Sequence, residues 1–286
     1  VQVSSVCLKS GNAAVLKASE DTPLSAWAFA RLLHEAGGPP GVFQIVHGYG
    51  PEAGGPLVEH PSVDIVSFTG SCEVGRWIAE TAGRRLAKVC LELGGKNPLI
   101  VCDDADLERS VQAAIGSAFS NAGQRCASGS RLIVFDQVYD RFKTMLTEAT
   151  GRLTLGSEDT DDFGPVINQA QLDNMVAAIE RARAAGAAVV AGGRRFVDAA
   201  HKDGYYMAPT IIENASADAE ISTSELFGPI TCLYRVKDFE EAVSLANDSP
   251  FGLTASIHTA SVDRAMTFIG RVQSGVAVVN GATYGS

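Results

Sequence analysis

Among the six cysteines of this 286-residue chain there is no C-x-x-C pair, and none has a histidine at zinc-ligand spacing. That absence argues against a structural metal or a disulfide framework and points to a reducing compartment. Positive charge is scarce: 23 lysines and arginines face 33 aspartates and glutamates, a formal net charge of -10. Nucleic acid and anionic membrane surfaces are therefore poor partners. No apolar run approaches the ~18 residues of a membrane span, and no charged and apolar leader follows Val1. A soluble, cytoplasmic chain is the expectation. Short-period repeats and low-complexity tracts are also missing. With 46% hydrophobic and 20% charged residues, a disordered chain is excluded, and the length suggests two domains. The chain starts without Met, in VQVSSVCLKSGN, and stops at NGATYGS just after a buried-strand pattern, so both ends read as cut.

What is present is an alternation of short β-branched runs with longer amphipathic stretches, the pattern of βα units on a parallel sheet. Residues 12–17 read as a strand. In DTPLSAWAFARLLHEAGG, Asp21 or Thr22 is an N-cap, Pro23 sits in the first turn, and Gly37 stops the helix. GVFQIV, VDIVSF and AKVCLEL are further strands, with helices over Pro51 to His60 and Glu73 to Ala82. From Lys96 the rhythm resumes with PLIV, a helix from Asp106 to Phe119, RLIVF, and a helix from Tyr139 to Ala149. GSEDTDDFGP reads as a solvated loop, since the spacing and distal glutamate of a calcium loop are lacking. A helix from Gln169 to Ala185 precedes GAAVVAGG. The tail alternates strands TIIE, ITCLYRV, TASIHT and GVAVVN with helices from Phe239 to Asn247 and Val262 to Ile269. Two α/β regions result, 1–94 and 95–286.

Three stretches carry chemistry. SFTGSCEVGR places Gly70 and Gly75 where a buried strand gives way to a helix, so bare amides and a positive dipole end face any anion. The spacing is neither a Walker A loop, since Arg76 and Trp77 follow, nor G-x-G-x-x-G. Cofactor binding and an ordinary tight turn both remain open on these residues alone. LELGGKNP puts Glu92 between two leucines at a strand end; such a carboxylate is either structurally paired or kept for proton transfer with a raised pKa, and the apolar flanks favour the second. NAGQRCASGSR holds Cys126 in a Gly/Ser-rich stretch, either as a nucleophile or as a small packed hydrophobe. One strand, one helix and a return loop fit between Glu92 and Cys126, which allows both to reach one cleft at the carboxyl edge of a sheet. The histidines, His34, His47, His60, His201 and His258, read as surface or cap residues without a partner.

GNAAVLKASE, FTGSCEVGR, LELGGKNPLIV, NAGQRCASGSR, ELFGPI and NDSPFGLTASIHT occur in the order and at the intervals of the NAD(P)-dependent aldehyde dehydrogenase superfamily, which the chain resembles from end to end. The resemblance implies an aldehyde dehydrogenase-like α/β fold, with an incomplete Rossmann-type parallel-sheet cofactor domain followed by a second α/β catalytic domain. It implies that Cys126 adds as a thiolate to a small-molecule aldehyde, that the thiohemiacetal is oxidised to a thioester, and that Glu92 activates the hydrolytic water. Lys17 and Glu20 match the pair that holds the adenosine ribose; a carboxylate there accepts from two hydroxyls and repels a 2′-phosphate, so NAD is preferred to NADP. Gly70 with Ser71 matches the pyrophosphate turn, Glu225 the nicotinamide-ribose ligand and Phe227 the wall that places the ring. Gly123 and Gln124 shape the loop of Cys126, and Asn280 is structural. No metal is implied, and the full-length form is expected to be a homo-oligomer.

The chain also departs from that pattern. A segment carrying an oxyanion-hole asparagine amide has no counterpart here, and the loss of one such donor costs on the order of 10²–10³ in rate in another enzyme class. Protruding oligomerisation strands and a Pro-Phe-Gly-Gly segment are likewise unmatched, and KASE, with Ala18, replaces Lys-Pro-Ser-Glu. Three readings follow: a hydrolytic aldehyde dehydrogenase, a CoA-acylating relative, and a catalytically impaired NAD-binding protein. Arg125 beside the cysteine suggests either an acidic semialdehyde substrate or a side chain turned to the scaffold.

Overall fold

Strands and helices alternate through the computed structural model, which describes residues 7–284, and the chain divides into two units, Val1–Leu93 and Gly94–Ser286. The readings of the chain ends at Val1 and Ser286 lie outside the described residues.

In the first unit β1 (Ala14–Lys17) and β2 (Phe43–Val46) form a parallel pair. Parallel neighbours need a crossover, supplied by helix Pro23–Glu35. Pro23 occupies the first turn, where its missing N–H costs nothing, and Gly37 leaves the helix at φ +85°. β3 (Ile65–Thr69) and β4 (Lys88–Glu92) form a second parallel pair, crossed by helix Cys72–Gly83. Among the described residues the two pairs share no ladder. The single helix expected over Pro51 to His60 is instead a π-helical turn, Gly50–Gly54, followed by helix Gly55–Glu59. Pro56 lacks the N–H that would continue one ladder through this stretch.

The second unit is built on one seven-stranded sheet of β5 (Asn97–Val101), β6 (Gly129–Phe135), β7 (Ala188–Ala191), β8 (Thr210–Glu213), β9 (Ile230–Val236), β10 (Thr254–His258) and β11 (Val276–Val279), ordered β11-β10-β5-β6-β9-β8-β7. All neighbours are parallel except β7, which runs antiparallel to β8 at the edge. Central strands of such a sheet are covered on both faces and so read as continuous apolar runs. β5 and β10 are buried at every position, and Leu99, Ile100, Leu132, Ile133 and Leu233 form the middle of the core. Helix Leu107–Phe119 connects β5 to β6; Asp106 accepts from the Arg109 N–H at 3.2 Å and caps it. The four-residue helix Glu220–Thr223 was not read from sequence; it is shorter than any periodicity can register.

Three histidines differ from the expectation of surface or cap residues without a partner; the exposed His60 accepts from the Ser62 N–H at its Nδ1, 3.2 Å away. His258, at the end of β10, is only 2% exposed, and its Nε2 meets the Gly281 carbonyl at 3.1 Å; burial pushes its pKa below the ordinary value. His201 has an acidic partner three residues away: its Nδ1 lies 2.7 Å from Asp198, and its Nε2 lies 2.9 Å from the Leu155 carbonyl.

Candidate active site

In the first unit, β4 ends at Glu92, and the Glu92 carbonyl accepts from the Gly70 N–H at 3.0 Å. That bond sets the Gly70–Ser71 turn beside the strand end, in register with the Thr69–Glu92 pair. Ser71 is the N-cap of helix Cys72–Gly83, its hydroxyl accepting from the Val74 N–H at 3.3 Å. The Glu92 side chain is exposed rather than enclosed by its leucine flanks. Leu91 and Leu93 flank it in sequence but lie on the other side of the pleat, so the expected apolar enclosure is not there. Gly75, read with Gly70 as a phosphate-facing glycine, is buried, and a Cβ on it would sit 2.6 Å from the Leu93 side chain. It serves close helix-strand packing. Further along the same unit, Lys17 Nζ donates to Glu20 at 2.8 Å. The lysine holds the Glu20 carboxyl below the usual carboxylate range, so it stays ionised and able to accept hydrogen bonds.

Cys126 belongs to the second unit and is exposed, unlike the buried Cys102 and Cys232. It precedes β6 and therefore stands at the amino edge of the seven-stranded sheet, not at the carboxyl edge that Glu92 occupies in its own sheet. The shared carboxyl-edge cleft expected from spacing alone is thus corrected: the interval holds a change of sheet after Leu93. The loop that carries the thiol is strained and braced. Asn121, Ala122 and Gly123 are successively left-handed, at φ 54°, 54° and 66°, a conformation costing roughly 1–2 kcal/mol at a residue with a Cβ. A Cβ at Gly123 would lie 2.1 Å from the Gly228 carbonyl oxygen, so only glycine fits. Gln124 pins the turn from outside, its Nε2 donating to Pro165 O at 3.2 Å and its Oε1 accepting from the Ile167 N–H at 2.8 Å. The Ser128 N–H closes a turn onto Arg125 O at 3.0 Å, leaving Cys126 at its first central position. Arg125 lies over the Tyr284 ring at 4.7 Å, turned to the scaffold rather than standing free for an acidic substrate.

The entry to β5 is the second half of this site. The Gly95 N–H donates to Glu225 Oε1 at 3.0 Å, and a Cβ on Gly94 would fall 2.0 Å from Glu225 Oε2. The paired glycines thus let the carboxylate lie against bare backbone. Glu225 is half-buried and burial raises its pKa, with the Gly95 N–H and Lys96 opposing. Phe227 follows in a left-handed conformation at φ 49° and remains 40% exposed. A bulky residue held there is strained, which ties it to placement rather than packing. Arg131 fixes the segment from beneath, donating to the carbonyls of Lys96, Leu245, Ala246 and Asp248 at 3.0, 2.9, 2.7 and 3.1 Å. Asn280 holds both backbone groups of Thr259 at 3.0 Å, the structural part expected of it. Sequence reading missed Asn97 and Thr283. Asn97 Nδ2 donates to Cys126 O at 2.7 Å and Ser128 O at 2.9 Å, and its Oδ1 accepts from the Thr254 N–H at 3.1 Å. Thr283 Oγ1 donates to Ala127 O at 2.6 Å. The one signal for Asn97 was its place directly before Pro98, where the β5–β6 register slips.

The second unit is thus a mostly parallel α/β scaffold with an exposed thiol on a braced turn, and comparison gives it a family. The profile of the Aldehyde dehydrogenase family matches residues 2–286, and the chain belongs to that family. It is 40% identical over 277 residues to alpha-ketoglutaric semialdehyde dehydrogenase of Bacillus subtilis (strain 168), covering 96% of this chain and 57% of that protein. It is 39% identical over 273 residues to human retinal dehydrogenase 2, covering 94% and 52%. Among solved structures, a betaine aldehyde dehydrogenase point mutant from Staphylococcus aureus, in complex with NAD+ and carrying a BME-modified cysteine, superposes with TM-score 0.93 at 33% identity over 96% of this chain and 56% of that one. Lactaldehyde dehydrogenase from Escherichia coli gives TM-score 0.92 at 39% identity, covering 96% and 58%. The chain thus spans about half the length of the relatives it matches. Among the described residues no helix is long and apolar enough to cross a membrane, and no group of three or more His, Cys, Asp and Glu side chains has the arrangement of a metal site.

Proposed function

We propose that this chain carries the machinery for NAD-dependent oxidation of an aldehyde to a carboxylic acid. The observation that carries the reading is Cys126 itself, an exposed thiol on a turn whose surrounding carbonyls are all engaged. The sulfur attacks the aldehyde carbon as a thiolate, forming a C–S bond while the carbonyl oxygen takes the electron pair. Glu92 draws a proton from the water that attacks the resulting thioester, and the thiol leaves as the acid forms. Exposure of Glu92 within its unit suits a base that must reach water.

The residues present fit a dinucleotide. A twelve-residue helix begins at the Gly70–Ser71 turn and offers its N-terminus to a pyrophosphate. Glu20, kept ionised by Lys17, would accept from the two adenosine ribose hydroxyls and repel a 2′-phosphate, which favours NAD over NADP. Glu225 would accept from the second ribose, and Phe227 would wall the nicotinamide. NAD, when bound, supplies the acceptor for the hydride that leaves the aldehyde carbon. NAD+ in the staphylococcal relative supports the same choice.

The test is a panel of aldehydes with NAD, followed by absorbance at 340 nm and identification of the product. Acid and NADH in equal amount, lost in Cys126→Ala, are expected. A thioester released by added CoA but not by water would transfer the reading to the acylating branch, and saturable NAD binding without any NADH would overturn oxidation by this chain.

A further inference from the structure

Every carbonyl of the turn from Arg125 to Ser128 is engaged. Arg125 O accepts from the Ser128 N–H, Cys126 O and Ser128 O share the Asn97 amide, and Ala127 O accepts from Thr283. Asn97 and Thr283 are both buried, at 2% and 0% exposure. A trans peptide sets its N–H opposite its C=O, so pulling Cys126 O onto Asn97 turns the Ala127 N–H the other way. Among the described residues neither the Cys126 nor the Ala127 N–H has an acceptor. Two amides without an acceptor, one on the thiol's own residue and one on the next, are available to an anion there.

We infer that Asn97 is a positioning residue for the reaction at Cys126, acting with Thr283 to hold the Cys126 and Ala127 amides toward the oxygen that gains charge when the sulfur adds. This rests on Cys126 being the nucleophile but not on aldehyde oxidation. Asn97 touches no reacting atom. Its amide is oriented in turn by the Thr254 N–H, which fixes the oxygen inward and leaves both amino hydrogens for the two carbonyls. Gly95 completes the arrangement, since a Cβ there would lie 2.3 Å from Cys126 O and 2.7 Å from the Asn97 amide.

The test compares two reactions of one thiol in the full chain. An activated aryl ester acylates Cys126: the C–S bond forms, the carbonyl oxygen carries the negative charge, and its collapse expels aryloxide to leave a thioester. Iodoacetamide alkylates the same sulfur by displacing iodide, with no oxyanion formed. Asn97→Asp keeps the shape but loses the two donors, and Thr283→Val removes only the Ala127 contact. Both are read by intact mass, with NAD binding and thermal midpoint measured in parallel.

The expected result is acylation slowed by roughly 10- to 100-fold in Asn97→Asp, in the range that a small misplacement of reacting groups costs. Thr283→Val should be slowed less, and both variants should alkylate within about threefold of wild type at matched pH. Equal losses in acylation and alkylation, or acylation unchanged in both variants, would overturn the inference. If Asn97→Asp does not fold, Thr283→Val alone decides by the same ratio. A wild type that the ester acylates but no aldehyde reduces NAD through would sink the proposed oxidation and leave the positioning role standing.

Discussion

Cys126, Glu92 and Glu225 differ in what their surroundings do to them. The cysteine is exposed while Cys102 is buried, with its thiol pushed up to about 12 by burial, so only one of these two is placed to react. Glu225 makes a testable contrast. An ionised carboxylate accepts hydroxyl donors at both oxygens and more strongly than its protonated form does, and burial raises the pKa of Glu225 above the ordinary value of 4.5. As pH falls, it protonates earlier than a solvent-exposed glutamate would, so NAD binding should begin to weaken at a pH above 4.5. Titration of NAD affinity against pH checks this; Glu225→Gln should bind more weakly at neutral pH and lose the acid-side fall, whereas an unchanged profile would remove Glu225 from the cofactor site. Glu225 and Cys126 could be singled out in the sequence because each sits inside a whole motif that resembles the family's. Asn97 was not, because a lone asparagine before a proline states nothing about which distant carbonyls its amide will grip.

At the scale of the element, the cysteine loop owes its shape to a left-handed run that no apolar period announces. Gly123→Ala must adopt φ near 66° with its Cβ 2.1 Å from a backbone oxygen. The expected cost is about 2–4 kcal/mol, read as a lowered denaturant midpoint; a loss under about 0.5 kcal/mol would show that the loop is free to move. A second brace is centred on His201. The His201 ring packs between a tilted Phe196 ring and an edge-on Tyr206 ring, at 5.1 and 4.8 Å, and both its ring nitrogens face acceptors. The Leu155 carbonyl and then Asp198 hold its pKa above 6.5, while Asp161 adds to the negative field. A His pKa raised on folding stabilises fully below its unfolded value and loses that contribution as pH climbs through the raised one. The Asp198 carboxyl, held low by His201, gives up its share only as pH falls through its lowered value. Relative to His201→Phe, which keeps the ring packing, wild type should be most favoured near pH 6 and lose that margin toward pH 9; a constant margin in thermal midpoint would contradict the pairing. Strand and helix positions followed from hydrophobic period, as in TIIE and ITCLYRV, whereas the Gly123–Gly228 approach and the His201–Leu155 bond join residues dozens of positions apart.

For the whole molecule, alternating periodicity led correctly to parallel α/β architecture, because strands buried on both faces must be apolar throughout. Period carries no record of which strands share a sheet, so Glu92 and Cys126 were read onto one sheet edge, although β4 and β6 belong to different sheets. The central claim is that Cys126 takes up the acyl group and Glu92 releases it. Intact mass after incubation with NAD and a turned-over aldehyde tests it most directly, in wild type, Cys126→Ala and Glu92→Gln. The predicted result is an acyl mass that accumulates in Glu92→Gln, maps to Cys126 and is absent from Cys126→Ala. An adduct on another cysteine, or no adduct in Glu92→Gln under saturating NAD and aldehyde, would contradict it.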